Sequence, residues 1–143
     1  TRNGEWLDPK TARPGVSAVN AATGEVLWSH LQKNVCGEGR PFCDPGVSAA
    51  ITATDGAVIA GHLDGIVRIY DSASGEIIWA YDTTAPVTGT NGVTAKGGGM
   101  SGSGPALGAG HMVINSGYGL YNHEAGNALL VFAPKSTNPV SAR

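Results

Sequence analysis

Short apolar runs separated by turn residues set the pattern of the middle of the chain. "GAVIAG" (56–61), "GIVRIYD" (65–71) and "EIIWAYD" (76–82) are rich in Val, Ile, Trp and Tyr, and "VSAAITAT" (47–54) precedes them. Residues 47–82 therefore predict four strands with very short connections. "DG" at 55–56 and 64–65 marks hairpin turns, and "SASG" (72–75) marks another, with Gly75 suited to positive φ. A third group, "GSGPALGAG" (102–110), "HMVINSG" (111–117) and "NALLVFA" (127–133), repeats the pattern but stops after its third strand. No sustained apolar stripe with a 3.6-residue period occurs, so no long helix is expected.

The pattern also repeats at longer range. "AVNAATGEVLW" (18–28) aligns with "IYDSASGEIIW" (69–79): Asn20 with Asp71, Thr23 with Ser74, Gly24 with Gly75, Glu25 with Glu76, Trp28 with Trp79. The copies lie 51 residues apart, a spacing that fits propeller blades with loop insertions. Asp or Asn can accept bonds from the N–H groups of the turn that follows, Thr or Ser can do so more weakly, and Gly supplies the left-handed position. Trp offers a flat surface to a neighbouring blade. The motif is structural rather than catalytic.

Composition changes this picture little. The chain has 143 residues, 41% apolar and 14% charged, with a net charge of -2, so it shows no basic footprint for nucleic acid. No apolar run is long enough for a membrane helix. The chain opens at Thr1 without a charged-then-apolar leader, so a signal peptide is not expected within it. The 22 glycines and 8 prolines fit many tight turns.

The docking repeat, together with the run from "CDPGVSAAITATDGAVIAGHLDGIVRIYD" through "GGGMSGSGPALGAGHMVINSGYG" to "GNALLVFAP", resembles polyvinyl-alcohol-dehydrogenase-like quinoproteins of the pyrroloquinoline-quinone (PQQ) propeller type. The likeness covers about residues 15–134 and points to their C-terminal part. It implies an all-β fold, a partial β-propeller of four-stranded antiparallel blades: about two and a half blades of a longer, eight-bladed ring. On this division 15–30 ends one blade, 47–82 is a complete blade and 102–133 is an incomplete last one. It further implies oxidation of a small-molecule or polymeric alcohol with PQQ as cofactor, electrons passing to a cytochrome c, and a periplasmic or secreted location. Calcium is possible, with no ligands identified here; the catalytic base is expected in blades outside this chain. A non-enzymatic scaffold propeller of the outer-membrane assembly type is the alternative. In either case the partners include the remaining blades of the full-length chain, and neither reading involves nucleic acid or a membrane span.

In a four-stranded meander the loop into the first strand and the loop between the second and third share one face. The long connections 31–46, 83–102 and 117–126 all fall there, so that face should carry the site. Cofactor contacts are expected from Lys96, the basic residue of 83–102, from Ser101 and Ser103 beside open glycines, and from Asn115 and Tyr118. "GGGMSG" (97–102) matches G-x-G-x-x-G, but Pro105 and a strand follow instead of a helix, so close backbone approach is the better explanation. His30, His62, His111 and His123 lack metal-ligand spacing; "HLD" (62–64) reads as a solvated turn and "NHE" (122–124) as a solvated rim. Cys36 and Cys43, isolated in one Gly/Pro-rich loop, are expected to form a disulfide in an oxidising compartment. The tail 134–143, with Pro134 and Pro139, is a poor candidate for an outer strand. The expectation is that the natural C-terminus lies near Arg143 and that the N-terminal part of the full-length chain supplies that strand.

Overall fold

The computed structural model describes residues 13–37, 39–118 and 121–135. Three antiparallel sheets stack in sequence order, and no helix occurs among the described residues. The first sheet pairs β1 (Gly15–Val19) with β2 (Val26–Leu31). The second runs in order β3 (Thr52–Thr54), β4 (Ala57–Gly61), β5 (Ile66–Asp71) and β6 (Ile77–Asp82). β7 (Val87–Thr88) and β8 (Thr94–Ala95) form a small hairpin inside the long loop. β9 (Ala106–Gly108), β10 (His111–Ser116) and β11 (Ala128–Phe132) form the third sheet. This is the all-β partial propeller that the strand pattern and the family likeness predict.

The docking repeat folds as its chemistry requires. Asn20 Oδ1 accepts from the Ala22 and Thr23 amides, and Asp71 Oδ1 accepts from those of Ala73 and Ser74. The bond from the Ser74 amide is the main reason the Asp71 carboxyl is held below the ordinary aspartate range. Both copies carry a register shift just before this turn, at Ala18/Val19 and at Ile69/Tyr70. Trp28 Nε1 donates to the Ser72 carbonyl at 2.9 Å, across the gap between the first and second sheets. Its ring lies so close to Gly75 that a Cβ there would sit 2.4 Å from Cε3, and Gly75 also holds φ +74°. Gly75 is therefore required twice, for its conformation and for the space it leaves.

Between the first and second sheets, Val16, Ala60 and Tyr70 pack with Trp28, Val47 and Val58. Between the second and third, Ile59, Val67, Met100, Met112 and Ile114 pack with Ile69, Trp79, Tyr81, Leu130 and Phe132. Trp79 stacks on Tyr81 and meets the edge of Phe132. The outward faces stay apolar and exposed, through Val19, Leu27 and Leu31 on the first sheet and Leu129 and Val131 on the third.

Two expectations need correction. The strand expected over 47–54 is ordered as a strand only at 52–54. The backbone at Gly104 crosses so tightly against the Ala50 carbonyl that a Cβ would meet it at 2.3 Å, and Thr52 Oγ1 donates to the Pro105 carbonyl, so the next segment occupies the place of a ladder partner. The hairpin at 87–95 was not expected, although Asn91–Gly92 is a hairpin signal; Gly92 adopts φ +77° there. Ala133–Lys135 lie outside the sheet. The question of an outer strand in the tail concerns residues 136–143, which lie outside the described residues.

Candidate functional site

The long connections meet on one face. Leu63 N donates to the Gly46 carbonyl, Thr83 N to Gly65, Gly97 N to Thr83, Gly99 N to Glu124, Met100 N to His62, and Glu124 N to Phe42. The glycines make this interlock possible. A Cβ on Gly97 would lie 2.5 Å from the Thr83 and Ser116 hydroxyls, and one on Gly98 would lie 2.3 Å from the Glu124 carbonyl. "GGGMSG" thus serves close backbone packing. Ser116, fully buried at the end of β10, has its Oγ 2.6 Å from Thr83 Oγ1 and accepts from Gly98 N at 3.0 Å.

Beneath this face lies a polar cluster that sequence reasoning missed. His62 and Asp64, expected as solvated turn residues, are both 0% exposed. Tyr70 Oη donates to His62 Nε2 at 3.0 Å, and His62 Nδ1 donates to Gln32 Oε1. Gln32 Nε2 donates to Asp64 Oδ2 at 2.6 Å, and its Oε1 also accepts from Gly46 N. Arg68 closes the cluster with two bonds to the Asp64 carboxylate, at 3.1 and 2.7 Å. This orientation gives every member a partner, as a buried polar network needs. Burial, reinforced by the Arg68 charge, pushes the His62 pKa down to about 4, so His62 is neutral at pH 7. Burial raises Tyr70 to about 12. The overlooked sign was Arg68 in the midst of the apolar strand "GIVRIYD", a charge that burial obliges to find a partner.

At the surface, Arg40 anchors three loops. Its Nη2 donates to the Asp64 carbonyl at 2.9 Å and to Glu124 Oε2 at 2.6 Å, and its Nε donates to the same carboxylate oxygen. Lys96 Nζ stands 3.3 Å from Glu124 Oε1. Two cations share one carboxylate, which leaves a local positive excess. The expected Cys36–Cys43 disulfide is present and closes the loop that carries Arg40.

The other nominated residues lie apart. Ser101 is half-buried, Ser103 is exposed, and the Tyr118 carbonyl is the group nearest Gly102, with the Tyr118 side chain itself exposed. Asn115 is exposed on β10 between buried Ile114 and Ser116, so it projects from the opposite side of the third sheet. His123, expected at a solvated rim, is buried instead: its Nδ1 has no hydrogen-bond partner and faces Asp44 Oδ2 at 3.8 Å. Among the described residues no three His, Cys, Asp or Glu side chains gather as a metal site would need. No helix of the described residues is long and apolar enough to cross a membrane.

Similarity to known proteins sharpens this geometry. Residues 10–135 match the family described as outer membrane protein assembly factor BamB. The chain is 39% identical over 117 residues, 80% of its length, to a polyvinylalcohol dehydrogenase of Sphingopyxis sp. (strain 113P3). It is 34% identical over 134 residues, 87% of its length, to another of that name from Pseudomonas sp.. Half of the chain is 32% identical to the quinohemoprotein alcohol dehydrogenase ADH IIB of Pseudomonas putida, 10% of whose length is covered. The chain spans only 18% and 21% of the length of the two polyvinylalcohol dehydrogenases.

Proposed function

The chain belongs to the β-propeller family described as outer membrane protein assembly factor BamB, and on that premise we propose that it is part of a PQQ-dependent alcohol dehydrogenase of the polyvinyl alcohol dehydrogenase kind. The observation that carries this reading is the 39% identity over 80% of the chain to a polyvinylalcohol dehydrogenase. The proposed substrate is a small or polymeric alcohol, the electron acceptor a cytochrome c, and the location the periplasm or the cell exterior. The Cys36–Cys43 disulfide fits such an oxidising compartment. The three sheets are read as the end of one blade, one complete blade and part of a third, with the remaining blades supplied by the rest of the full-length chain.

The donor set of the loop face suits the cofactor. PQQ carries three carboxylates and an ortho-dione, and when bound it supplies the two-electron acceptor of alcohol oxidation. The cation excess of Arg40 and Lys96 over Glu124 favours an anionic guest. Lys96 is half exposed and can turn from Glu124 toward a carboxylate. Ser101, Ser103 and Tyr118 are proposed hydrogen-bonding contacts around it, and Asn115 would reach the quinone only from the far side of the third sheet. Calcium is proposed without ligands from the described residues.

The test is reconstitution of the full-length protein with PQQ and calcium, with binding and dye reduction by secondary alcohols as readouts. Lys96→Ala should weaken quinone binding about tenfold or more, the scale of one charge-assisted hydrogen bond. Absence of both binding and dye reduction would favour the scaffold reading, which the description of the matching family supports.

A further inference from the structure

The small hairpin of β7 and β8 carries the pair Asn91–Gly92 at its tip. We propose that Asn91 is a site of spontaneous covalent modification, deamidation through a cyclic imide formed with Gly92, and that the turn bonds of the hairpin set its rate. This chemistry needs no activity of the full-length protein and holds whichever function that protein has.

Three observations converge on this pair. First, among the described asparagines Asn91 alone precedes a glycine. Asn20, Asn34, Asn115, Asn122 and Asn127 precede residues whose Cβ hinders approach to the following amide. Second, the tip is open. Residues 90–94 are all exposed, and a Cβ on Gly92 would meet nothing within 4 Å. Gly92 holds φ +77°, a conformation that residues with a Cβ rarely adopt, so the turn that requires glycine here also removes the steric shield. Asn91 Oδ1 accepts from Val93 N at 3.0 Å, which folds the side chain over the Gly92 peptide, and Gly92 N donates to the Gly89 carbonyl at 2.9 Å. Third, the element that holds these bonds is slight. Each strand has two residues, and among the described residues the sheet contains only these two strands. A ribbon of that kind is marginally stable by itself and belongs to the parts of a protein that open locally.

On opening, the Gly92 amide nitrogen is released from the Gly89 carbonyl and attacks Asn91 Cγ. The new N–C bond closes the imide ring, and Asn91 Nδ2 leaves as ammonia with the proton that Gly92 N gives up. A water molecule then opens the ring. Addition at Cγ gives aspartate. Addition at the main-chain carbonyl of Asn91 gives isoaspartate, in which the chain runs through Cβ and Cγ. Both products place a carboxylate in the loop that also bears Lys96. Isoaspartate in addition lengthens the main chain by a methylene, so Thr88 and Thr94 can no longer pair in their present register.

The test incubates the full-length protein at pH 7, folded and, in parallel, unfolded in urea. Peptide mass mapping follows the conversion of amide to acid at Asn91 and separates it from conversion at Asn3–Gly4, a pair that lies outside the described residues. Labelling by an isoaspartyl methyltransferase identifies the isoaspartate. The folded protein should be modified at Asn91 about five- to thirtyfold more slowly than the unfolded chain, the factor that two closed turn bonds imply. Thr88→Gly weakens an exposed strand position away from Asn91 and should bring the folded rate toward the unfolded one. Asn91→Gln, whose longer side chain would have to close a larger ring, should give no product at this position. An unmodified Asn91 in the folded protein after many half-lives of the unfolded chain would overturn the proposal. Equal rates in the folded, the unfolded and the Thr88→Gly protein would overturn control by the hairpin.

Discussion

The face of the second sheet that meets the first carries His62, Arg68 and Tyr70. The face of the third sheet that meets the second carries Ser116, Leu130 and Phe132 at the matching register positions. The strands, hairpin and stacking direction correspond, yet one interface is tied by a buried charge and the other is apolar, built on Ile59, Val67, Met112 and Ile114. The difference reflects what each interface supports. The polar cluster reaches the loop face, because the Asp64 carbonyl receives Arg40 and the Gly46 amide is held by Gln32. The third sheet meets that face through the Ser116 hydroxyl and through Asn127, directly before β11, whose Oδ1 accepts from Lys96 N. Apolar packing suffices to join two sheets, whereas directional bonds are needed to set the angle of a loop.

Arg68→Ala tests this contrast most severely. It leaves the Asp64 carboxylate, fully buried, with only the Gln32 and Ile66 donors. Unpairing a buried ion pair costs about 3–5 kcal/mol, and urea unfolding of the full-length protein should register a loss of that size. The double variant Arg68→Leu with Asp64→Asn places the leucine of the third sheet at the matching position and removes the orphaned charge, so it should recover most of the loss. Equal instability of the two variants would mean that the polar interface cannot be converted into the apolar one.

Acid should separate the interfaces next. The folded pKa of His62, about 4, lies below its ordinary value of 6.5, so the unfolded chain binds more protons between these values. The His62 contribution is therefore complete above pH 6.5 and is lost as pH falls toward 4, at up to about 1.4 kcal/mol per pH unit and about 3 kcal/mol in all. His123 adds a term of the same sign. In His62→Gln most of the slope between pH 6.5 and 4 should disappear, while Ile114→Val in the apolar interface should cost about 0.5–1.5 kcal/mol and leave the slope intact.

What was legible in the sequence follows the range of the interactions. The docking turns are local: Asn20, Thr23 and Gly24 act within six residues of chain, so their spacing revealed them, and Cys36 with Cys43 was readable for the same reason. The polar cluster joins Gln32 to His62 and Asp64 across 30 and 32 positions, and Arg40 to Glu124 across 84. No local pattern records such distances, so "HLD" looked like any solvated turn. His123 was hidden likewise, because its burial depends on where the loop bearing Asp44 lies. Among the residues nominated from the long loops, Lys96 entered a charge network whose other members, Arg40 and Glu124, come from separate loops.

The smallest expected effect comes from Tyr70→Phe, which gives the second sheet the residue that the third already has at Phe132. The ring remains, and with it the packing against Val16 and Ala60 and the edge contact with His30. Only the hydroxyl is lost, and with it one neutral hydrogen bond, worth about 1 kcal/mol at pH 7. That bond is donated to His62 Nε2, an atom that can accept only while the imidazole is neutral. Its removal withdraws a preference for the neutral form, so the His62 pKa should rise from about 4 toward 6.5. The loss of stability in acid should then be smaller in total, even though the protein is weaker at neutral pH. Urea unfolding at pH 7 and pH 5 measures both effects: the variant should trail the wild type at pH 7 by about 1 kcal/mol and by less at pH 5. An equal deficit at both pH values would show that Tyr70 only packs, and that His62 is kept neutral by burial and Arg68 without help from the hydroxyl.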